Sequence, residues 1–568
     1  MVARGLFLQW EGKKVYRQRV PTPRLLEPMP ELSVGVAPTN MVIEGDNLQV
    51  LASLKSRYAG QVDVIYIDPP YNLGTNDFRY SDKRFHDPDA DDSDAVYVKN
   101  EDGGRHTKWL NFMAPRLYML WEMLSDQGVL FASINDIELY RLGMLLGEIF
   151  GEENHVGTIV WRGSPDNNPT RIAVEHEYIL CYAKSSDALA RIWSSPEDSL
   201  RDLLLEQFRQ LKARTPDLAK LKKEWRALVK ANAAAFPRLG RYTEVDEHSP
   251  YQVGYRVHNP GKEGYRYDVQ HPDTKKPTKQ PLMGYRFPKE TMDQLVADNR
   301  IIFGKDENTI VQMKDYLEDF RDTLRSVIDL DARTGAYTLA NLFDGDRTIF
   351  KNPKPVELME RLLAFTTRRD SLVLDAFAGS GTTAHAVMSL NKRDGGNRRF
   401  IMIEEGRSGD KFGRTLTAER IKRAIAKYGY NDGFTFYTAG KKLDRKAIVG
   451  LKRDALAALI CQADETGRGR GITRVTGYQY IIGKNHRNEA ICLVWTDEND
   501  NEVTKDDYRK AALEVRAAGL KKPLRMYGGF TYVGDIPTSW KFCQIPDEIL
   551  AQMHILEDVE LDELEATA

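Results

Sequence analysis

Two stretches of the chain have the hydrophobic pattern of strands buried on both faces. One is Val62-Asp63-Val64-Ile65-Tyr66-Ile67, and the other, far downstream, is Leu372-Val373-Leu374. Short β-branched and apolar runs without strict alternation read as parallel strands covered by helices on either side. A strand–helix rhythm surrounds both. Met41–Glu44 reads as a strand and Leu48–Leu54 as a helix. Trp109–Leu124 has helical periodicity, Gly128–Ile134 reads as the next strand, and Asn135-Asp136 is expected to cap a helix running to Phe150. Thr158–Trp161 and Glu177–Tyr182 are expected to pair antiparallel and close the sheet. In the downstream block, Pro355 starts a helix over Val356–Phe365, and Thr383–Leu390 reads as a second helix. A strand at Arg399–Ile403 and a helix at Leu416–Tyr428 complete that half.

The rhythm breaks between about residues 184 and 345. Residues 201–230 read as helical and basic, and most such charge runs are solvated faces. A stretch dense in aromatic and basic residues follows, from Tyr251 to Arg286, with the punctuation of short strands and turns. The expected division is a Pro-rich arm over 1–38, a first core half over 39–183, an insertion over 184–345, a second core half over 346–437 and a C-terminal α+β domain over 438–568. The arm packs on a partner or is a loose lead-in. Residues 72–108, acidic and Gly-containing, read as a mobile loop after the first strand.

Bulk composition narrows the picture without naming a chemistry. A chain of 568 residues exceeds what one core supports. A net charge of -2 excludes a uniformly basic nucleic-acid coat, so any such affinity must come from local patches. The four cysteines are scattered with no CxxC pair, which points to a reducing compartment and away from structural zinc or another metal site. No apolar run is long enough to span a bilayer, so the expected location is cytoplasmic, away from membranes.

The chemistry lies where the two buried strands end. Asp68-Pro69-Pro70-Tyr71 directly follows Ile67, at the edge where open α/β sheets hold ligands. The prolines stiffen the turn and leave carbonyls as acceptors. Asp68 adds a charged acceptor and Tyr71 a flat face. An exocyclic amino group on a planar base fits all three, and such a base must first leave a helix stack. Two acceptors in the base plane would stabilise the positive charge that develops on the nitrogen during alkylation. A plain Asx/Pro turn is the blander alternative. The second strand runs into Asp375-Ala376-Phe377-Ala378-Gly379-Ser380-Gly381-Thr382-Thr383, a turn whose glycines admit close backbone approach. The lysine of a P-loop is absent. Glu404, at the tip of the next strand, suits the two hydroxyls of a ribose. Asp46, at the end of an earlier strand, reads equally as a helix N-cap or as a group at the ligand edge.

Together, Asp-Pro-Pro-Tyr and Asp-x-Phe-x-Gly-x-Gly-Thr-Thr resemble the amino-methylating DNA methyltransferases. With the catalytic motif preceding the cofactor motif, the order is similar to that of the β-class. Phe542–Leu550 is similar to the C-terminal end of type III restriction–modification methylation subunits. The resemblance implies a circularly permuted, Rossmann-like α/β core dependent on S-adenosylmethionine, and methyl transfer to adenine N6 in double-stranded DNA. It places Asp68, Pro69, Pro70 and Tyr71 at the base. Asp375, Phe377, Gly379, Gly381, Thr382 and Glu404 would face the cofactor, with Asp46 near its adenine and Lys354 near its methionine carboxylate. It implies a target-recognition role for the insertion, with Arg256, Arg266, Lys276, Lys279 and Arg286 as candidate DNA contacts. A homodimer and a separate restriction (nuclease/helicase) subunit are the implied partners. Cytosine-N4 methylation, a non-catalytic DNA-recognition subunit, and a small-molecule or RNA methyltransferase are the alternatives. Asp rather than Ser before the prolines leans toward adenine by family habit.

Overall fold

A computed structural model of the chain describes residues 8–13, 20–35, 39–163, 171–193, 197–231, 239–254, 257–258, 261–320, 323–405, 411–467, 471–496, 501–534, 536 and 539–553. It divides into two compact units, Met1–Arg191 with Arg325–Ala568, and Ile192–Leu324.

The first unit is built on a ten-stranded sheet. In chain order its strands are β1 (Arg24–Pro28), β2 (Asn40–Glu44), β3 (Val62–Ile67), β4 (Leu124–Ile134), β5 (His155–Arg162), β6 (His176–Ala183), β7 (Val327–Asp329), β8 (Leu372–Asp375), β9 (Arg399–Glu404) and β10 (Phe434–Lys442). They lie side by side as β1-β10-β2-β9-β8-β3-β4-β6-β5-β7. From β10 to β4 every pairing is parallel. β6 runs antiparallel to both β4 and β5, and β1 antiparallel to β10. The unalternating apolar runs sit at the centre, where Val64, Ile65, Ile67, Val373 and Leu374 have no exposed surface. One face packs on the Asn47–Tyr58 and Arg105–Met123 helices through Ile65, Ile67, Leu374, Leu51 and Leu117.

Several sequence expectations change here. The described part of the arm is not a loose lead-in, since β1 forms the sheet edge and Val34 bridges to Phe434. The segment after the first motif is folded rather than a mobile loop. Its Arg79–Tyr80 and Val96–Tyr97 strands form a ribbon, and Phe78 and Val98 enter the core. Asp89 accepts from the Thr22 backbone N–H and hydroxyl (3.0 and 2.7 Å) and pairs with Lys442 at 2.9 Å. Asn135 and Asp136 do not cap the next helix. Asn135 closes a turn on the Ile137 N–H, and the helix starts at Leu139 after Glu138. Glu138 turns inward, fully buried, to accept from Asn72 Nδ2 and contact His106 Nδ1, both at 2.6 Å. β7 and the Arg333–Leu342 helix, placed in the insertion by the broken rhythm, belong to the first unit, with β7 extending the sheet beside β5.

The C-terminal region carries a five-stranded sheet in chain order, with its last three strands parallel. Apolar clusters cover both faces, one around Ile460 and Ile549 and the other around Tyr508 and Val515. Among the described residues, the unit Ile192–Leu324 has three α-helices, Glu197–Arg214, Leu218–Ala231 and Lys289–Ala297, and a four-stranded antiparallel sheet. Its first two helices bury Leu204, Phe208 and Leu211, and Leu221, Trp225 and Val229, at helical spacing. Most of the basic residues of these two helices are left on the outer faces, where Arg209 pairs with Glu206 and Arg226 with Glu244.

Asn40 is a buried polar link at the parallel centre. Its Oδ1 accepts from the Phe400 N–H (2.9 Å) and its Nδ2 donates to the Gly433 carbonyl (2.8 Å). Asn40→Ala strands both backbone groups and should cost about 2–4 kcal/mol, read as an earlier first transition in denaturant unfolding.

Candidate active site

Four parallel strands end along one edge. Asp375 is in register with Tyr66 on one side and Met402 on the other, and Glu404 with Glu44. The turns that follow therefore start side by side, and they line a cavity of about 950 Å³. That is the upper end of the range for small-molecule sites, roughly 300–1,000 Å³. Asp46, Asp68, Pro69, Pro70, Tyr71, Lys354, Asp375, Phe377, Gly379, Thr382 and Glu404 all reach it. The two motifs, far apart in sequence, share one chamber.

At one end the Asp-Pro-Pro-Tyr turn is tied into a charge cluster. The Tyr71 hydroxyl contacts Asp68 Oδ1 at 2.9 Å and Glu177 Oε2 at 3.0 Å. Lys354 Nζ lies 3.0 Å from Asp68 Oδ2, 3.1 Å from Glu177 Oε2 and 3.0 Å from the Tyr71 oxygen. Burial works against the lysine's charge, but the Asp68 and Glu177 carboxylates outweigh it and raise the pKa. Burial, then Asp68 and Glu177, push the Tyr71 phenol well above its ordinary value, so it stays a donor. The resemblance implies a cofactor carboxylate near Lys354; the partners of its ammonium among the described residues are Asp68, Glu177 and Tyr71. The two proline carbonyls also differ. That of Pro70 accepts from Trp109 Nε1 at 2.7 Å, while among the described residues no group donates to that of Pro69. Asn72, at φ 58°, anchors the far side of the turn on Glu138.

The glycine-rich turn forms the middle of the chamber. Asp375 accepts from the Phe377 N–H (3.0 Å) and from the Thr383 hydroxyl (2.6 Å), so its carboxyl shapes the turn from within. Burial raises its pKa to about 7, against those two bonds and with help from Asp68 and Glu404. Gly379 and Gly381 hold φ of 52° and 78°, a region L side chains avoid. A Cβ at Gly379 would press on Phe350 at 3.2 Å, and one at Gly381 on the Thr417 carbonyl at 3.2 Å. The Gly379 N–H donates to Glu404 Oε2 at 2.6 Å. Thr382 lines the chamber, but its hydroxyl also accepts from the buried Arg420 at 2.7 Å. Backbone turn, terminal carboxylate and room fit a nucleoside bearing ribose hydroxyls.

The other end is a second charge cluster. Asp46 both caps the Asn47–Tyr58 helix, through the Gln49 N–H, and faces the chamber. Its Oδ2 accepts from Arg84 (2.9 Å) and Arg116 (2.8 Å). Burial raises its pKa, but Arg116 and Arg84 more than offset this and hold it below the ordinary value. Burial and the Asp46 charge raise Glu405 to about 7.

Sequence reasoning missed Glu177, Arg84, Arg116 and Trp109 as site residues. Glu177 is the second residue of β6, and because β6 is antiparallel to β4, with Tyr178 beside Ile134, its amino end lies at the carboxyl edge of the parallel strands. Of the candidate DNA contacts, Arg256 lies outside the described residues. Arg266, Lys276, Lys279 and Arg286 are exposed in the Ile192–Leu324 unit. Arg266 and Arg286 flank the Tyr265–Tyr285 bridge, while Lys276 is paired with Glu307 at 3.2 Å.

A family model described as DNA methylase matches residues 62–408. The chain is 40% identical over 418 residues to the type III restriction-modification enzyme EcoP15I Mod subunit of Escherichia coli, covering 70% of this chain and 65% of that relative. It is 31% identical to the StyLTI Mod subunit of Salmonella typhimurium, covering 71% and 59%, and 31% identical to the EcoPI Mod subunit of Escherichia phage P1, covering 64% and 57%. The matches thus span less than two thirds of each relative's own length.

Asp375 makes stability pH-dependent in a defined direction. Its folded pKa of about 7 lies above the ordinary 3.8, so the folded chain holds a proton that the unfolded chain has lost between those values. Its contribution is fully present below about pH 4 and is lost as pH rises toward 7. Asp375→Asn should therefore gain thermal stability relative to the parent as pH goes from 5 to 8, measured by melting at each pH.

Proposed function

The chain belongs to the DNA methylase family, and from that premise we propose that it transfers a methyl group from S-adenosylmethionine to the N6 amino group of an adenine flipped out of double-stranded DNA. The observation that carries the reading is the shared chamber, in which the acceptors of the Asp-Pro-Pro-Tyr turn and the glycine-rich turn open on one space. S-adenosylmethionine, when bound, supplies an electrophilic methyl group on a sulfonium. Gly379, Glu404 and Asp375, which line the chamber, are the residues that would hold it, with Asp46 toward its base and Gly381 shaping the turn from behind.

The protein's part is placement and electrostatics. The Pro69 carbonyl and Asp68 accept the two amino protons, in the base plane, while the Tyr71 ring, held through its hydroxyl, stacks on the base. These acceptors favour a pyramidal nitrogen and stabilise the charge that appears on it. Asp68 acts as acceptor and orienter while the C–N bond forms, and the surplus proton on the amino nitrogen then passes along its hydrogen bond to Asp68 and on to solvent. A chamber walled by Phe112, Phe350 and Phe377 limits water around the reacting atoms.

A single pocket sees one base, so site selection needs other contacts. The Ile192–Leu324 unit, with exposed Arg266, Lys279 and Arg286, is the proposed reader of the target. Restriction–modification of the type III kind, a cytoplasmic setting, a homodimer and a separate nuclease–helicase subunit complete the proposal.

Asp68→Ala should lower the methylation rate by about 10²–10³-fold while calorimetric affinity for S-adenosylmethionine is kept. A variant with near-parental turnover sinks the assignment. Gly381→Val should abolish cofactor binding, because the turn cannot hold its left-handed φ with a β-branched residue. Sequencing of modified bases in DNA from cells carrying the gene tests adenine N6 against cytosine N4 and gives the target site. Exchanging residues 192–324 for the matching block of a relative should change that site. Persistence of the original site would place recognition elsewhere.

A further inference from the structure

The Lys354 ammonium has three protons, and it has three oxygens around it, one each from Asp68, Glu177 and Tyr71. Asp68 is the group proposed above to receive the target amino group, and Lys354 Nζ already donates to its Oδ2 at 3.0 Å. The Tyr71 hydroxyl is also on Asp68, through Oδ1. Lys354 thus engages Asp68 Oδ2, while the single phenolic proton of Tyr71 is shared between Asp68 Oδ1 and Glu177 Oε2. Lys354 is buried, with its side chain 9% exposed, whereas that of Glu177 is 35% exposed.

From this arrangement, and resting on the amino-methylation reading, we propose that Lys354 occupies the catalytic acceptor in place of the target amino group, and that Glu177 is the positioning residue that takes the lysine over when a base enters. The exchange is close to balanced. An incoming N–H replaces one ammonium N–H at Asp68, while Lys354 keeps Glu177 and the Tyr71 oxygen as partners. The lysine's charge stays next to a carboxylate throughout, so no buried cation is left unpaired. The same geometry selects the base. Adenine and cytosine present an amino group that can replace the lysine's proton. Thymine presents a carbonyl oxygen at that position, which would set lone pair against carboxylate and leave the lysine in place. Glu177 then controls the cost of base entry without touching the reacting atoms, and it does so independently of the cofactor turn.

The test is a pair of variants and their combination, assayed by single-turnover transfer of labelled methyl groups into unmodified bacterial genomic DNA, with S-adenosylmethionine affinity measured by calorimetry. Glu177→Gln should slow transfer by about tenfold or more, the effect of one charged hydrogen bond, because Lys354 then stays on Asp68. Adding Lys354→Met to it should restore transfer by about threefold or more, a coupling outside the additive range. Both single variants should keep cofactor affinity within about twofold of the parent. A double variant no faster than Glu177→Gln overturns the proposal, because the lysine would then not compete with the base. A larger loss of cofactor affinity in Lys354→Met also overturns it and assigns the lysine to the cofactor. Parental protein that binds S-adenosylmethionine but labels no DNA refutes the amino-methylation reading itself, a result distinct from both.

Discussion

The parallel pairing of Val64–Tyr66 with Val373–Asp375 is the constraint on which the rest of the site depends. Both segments are apolar enough to be buried on two faces, so they occupy the middle of the sheet rather than an edge. Parallel pairing puts both carboxyl ends at one edge, and the register leaves Asp375 beside Tyr66. The turn proposed to hold the base and the turn proposed to hold the cofactor therefore begin next to each other. The long connection between them is free to hold a separate compact unit, because the chain closes the sheet with β6, β5 and β7 around that excursion.

Charge in the chamber is arranged in two groups. At the base end one lysine stands among Asp68, Glu177 and the Tyr71 oxygen. At the far end Arg84 and Arg116 hold Asp46, with Glu405 nearby and raised to about 7. Between them Asp375 is also raised to about 7 by burial. Two carboxyls that ionise near neutrality are a reserve of negative charge for a cationic ligand, whose arrival would favour their ionised forms. The proposed sulfonium ligand is of that kind.

The Asp-Pro-Pro-Tyr turn is held from behind as well as from the chamber. The Trp109 indole takes the Pro70 carbonyl, and Asn72 rests on the buried Glu138, itself bound to His106. These contacts come from the Arg105–Met123 helix and the loop after β4, both locked in the main core. A rigid turn matters because the acceptors must stay in the plane of an entering base. The Pro69 carbonyl is left to accept as a consequence of how its neighbour is satisfied.

The sequence by itself determined the strands β2, β3, β4, β8 and β9, the pair β5 and β6, the two motifs and their order, but not β1, β7 or β10. Buried parallel strands need unbroken apolar runs, and a turn that approaches a ligand needs glycine, so both leave local signatures. Asp68, Tyr71, Gly379 and Gly381 could be singled out as candidates from those signatures, and the family followed from their combination. The tertiary structure alone decided which groups face them. Glu177 lies at the start of an ordinary strand, and only the antiparallel placement of β6 brings it to the site. Arg84 sits in a segment that reads as a loop from its polarity, yet buried Phe78 and Val98 pin that segment to the core. Lys354 was legible as part of a helix start, but the acids it meets come from β6 and from the turn after β3. Motif residues are specified over a few neighbours along the chain. Ion pairs across a chamber depend on strand order and register, which arise only when distant hydrophobic segments are buried together.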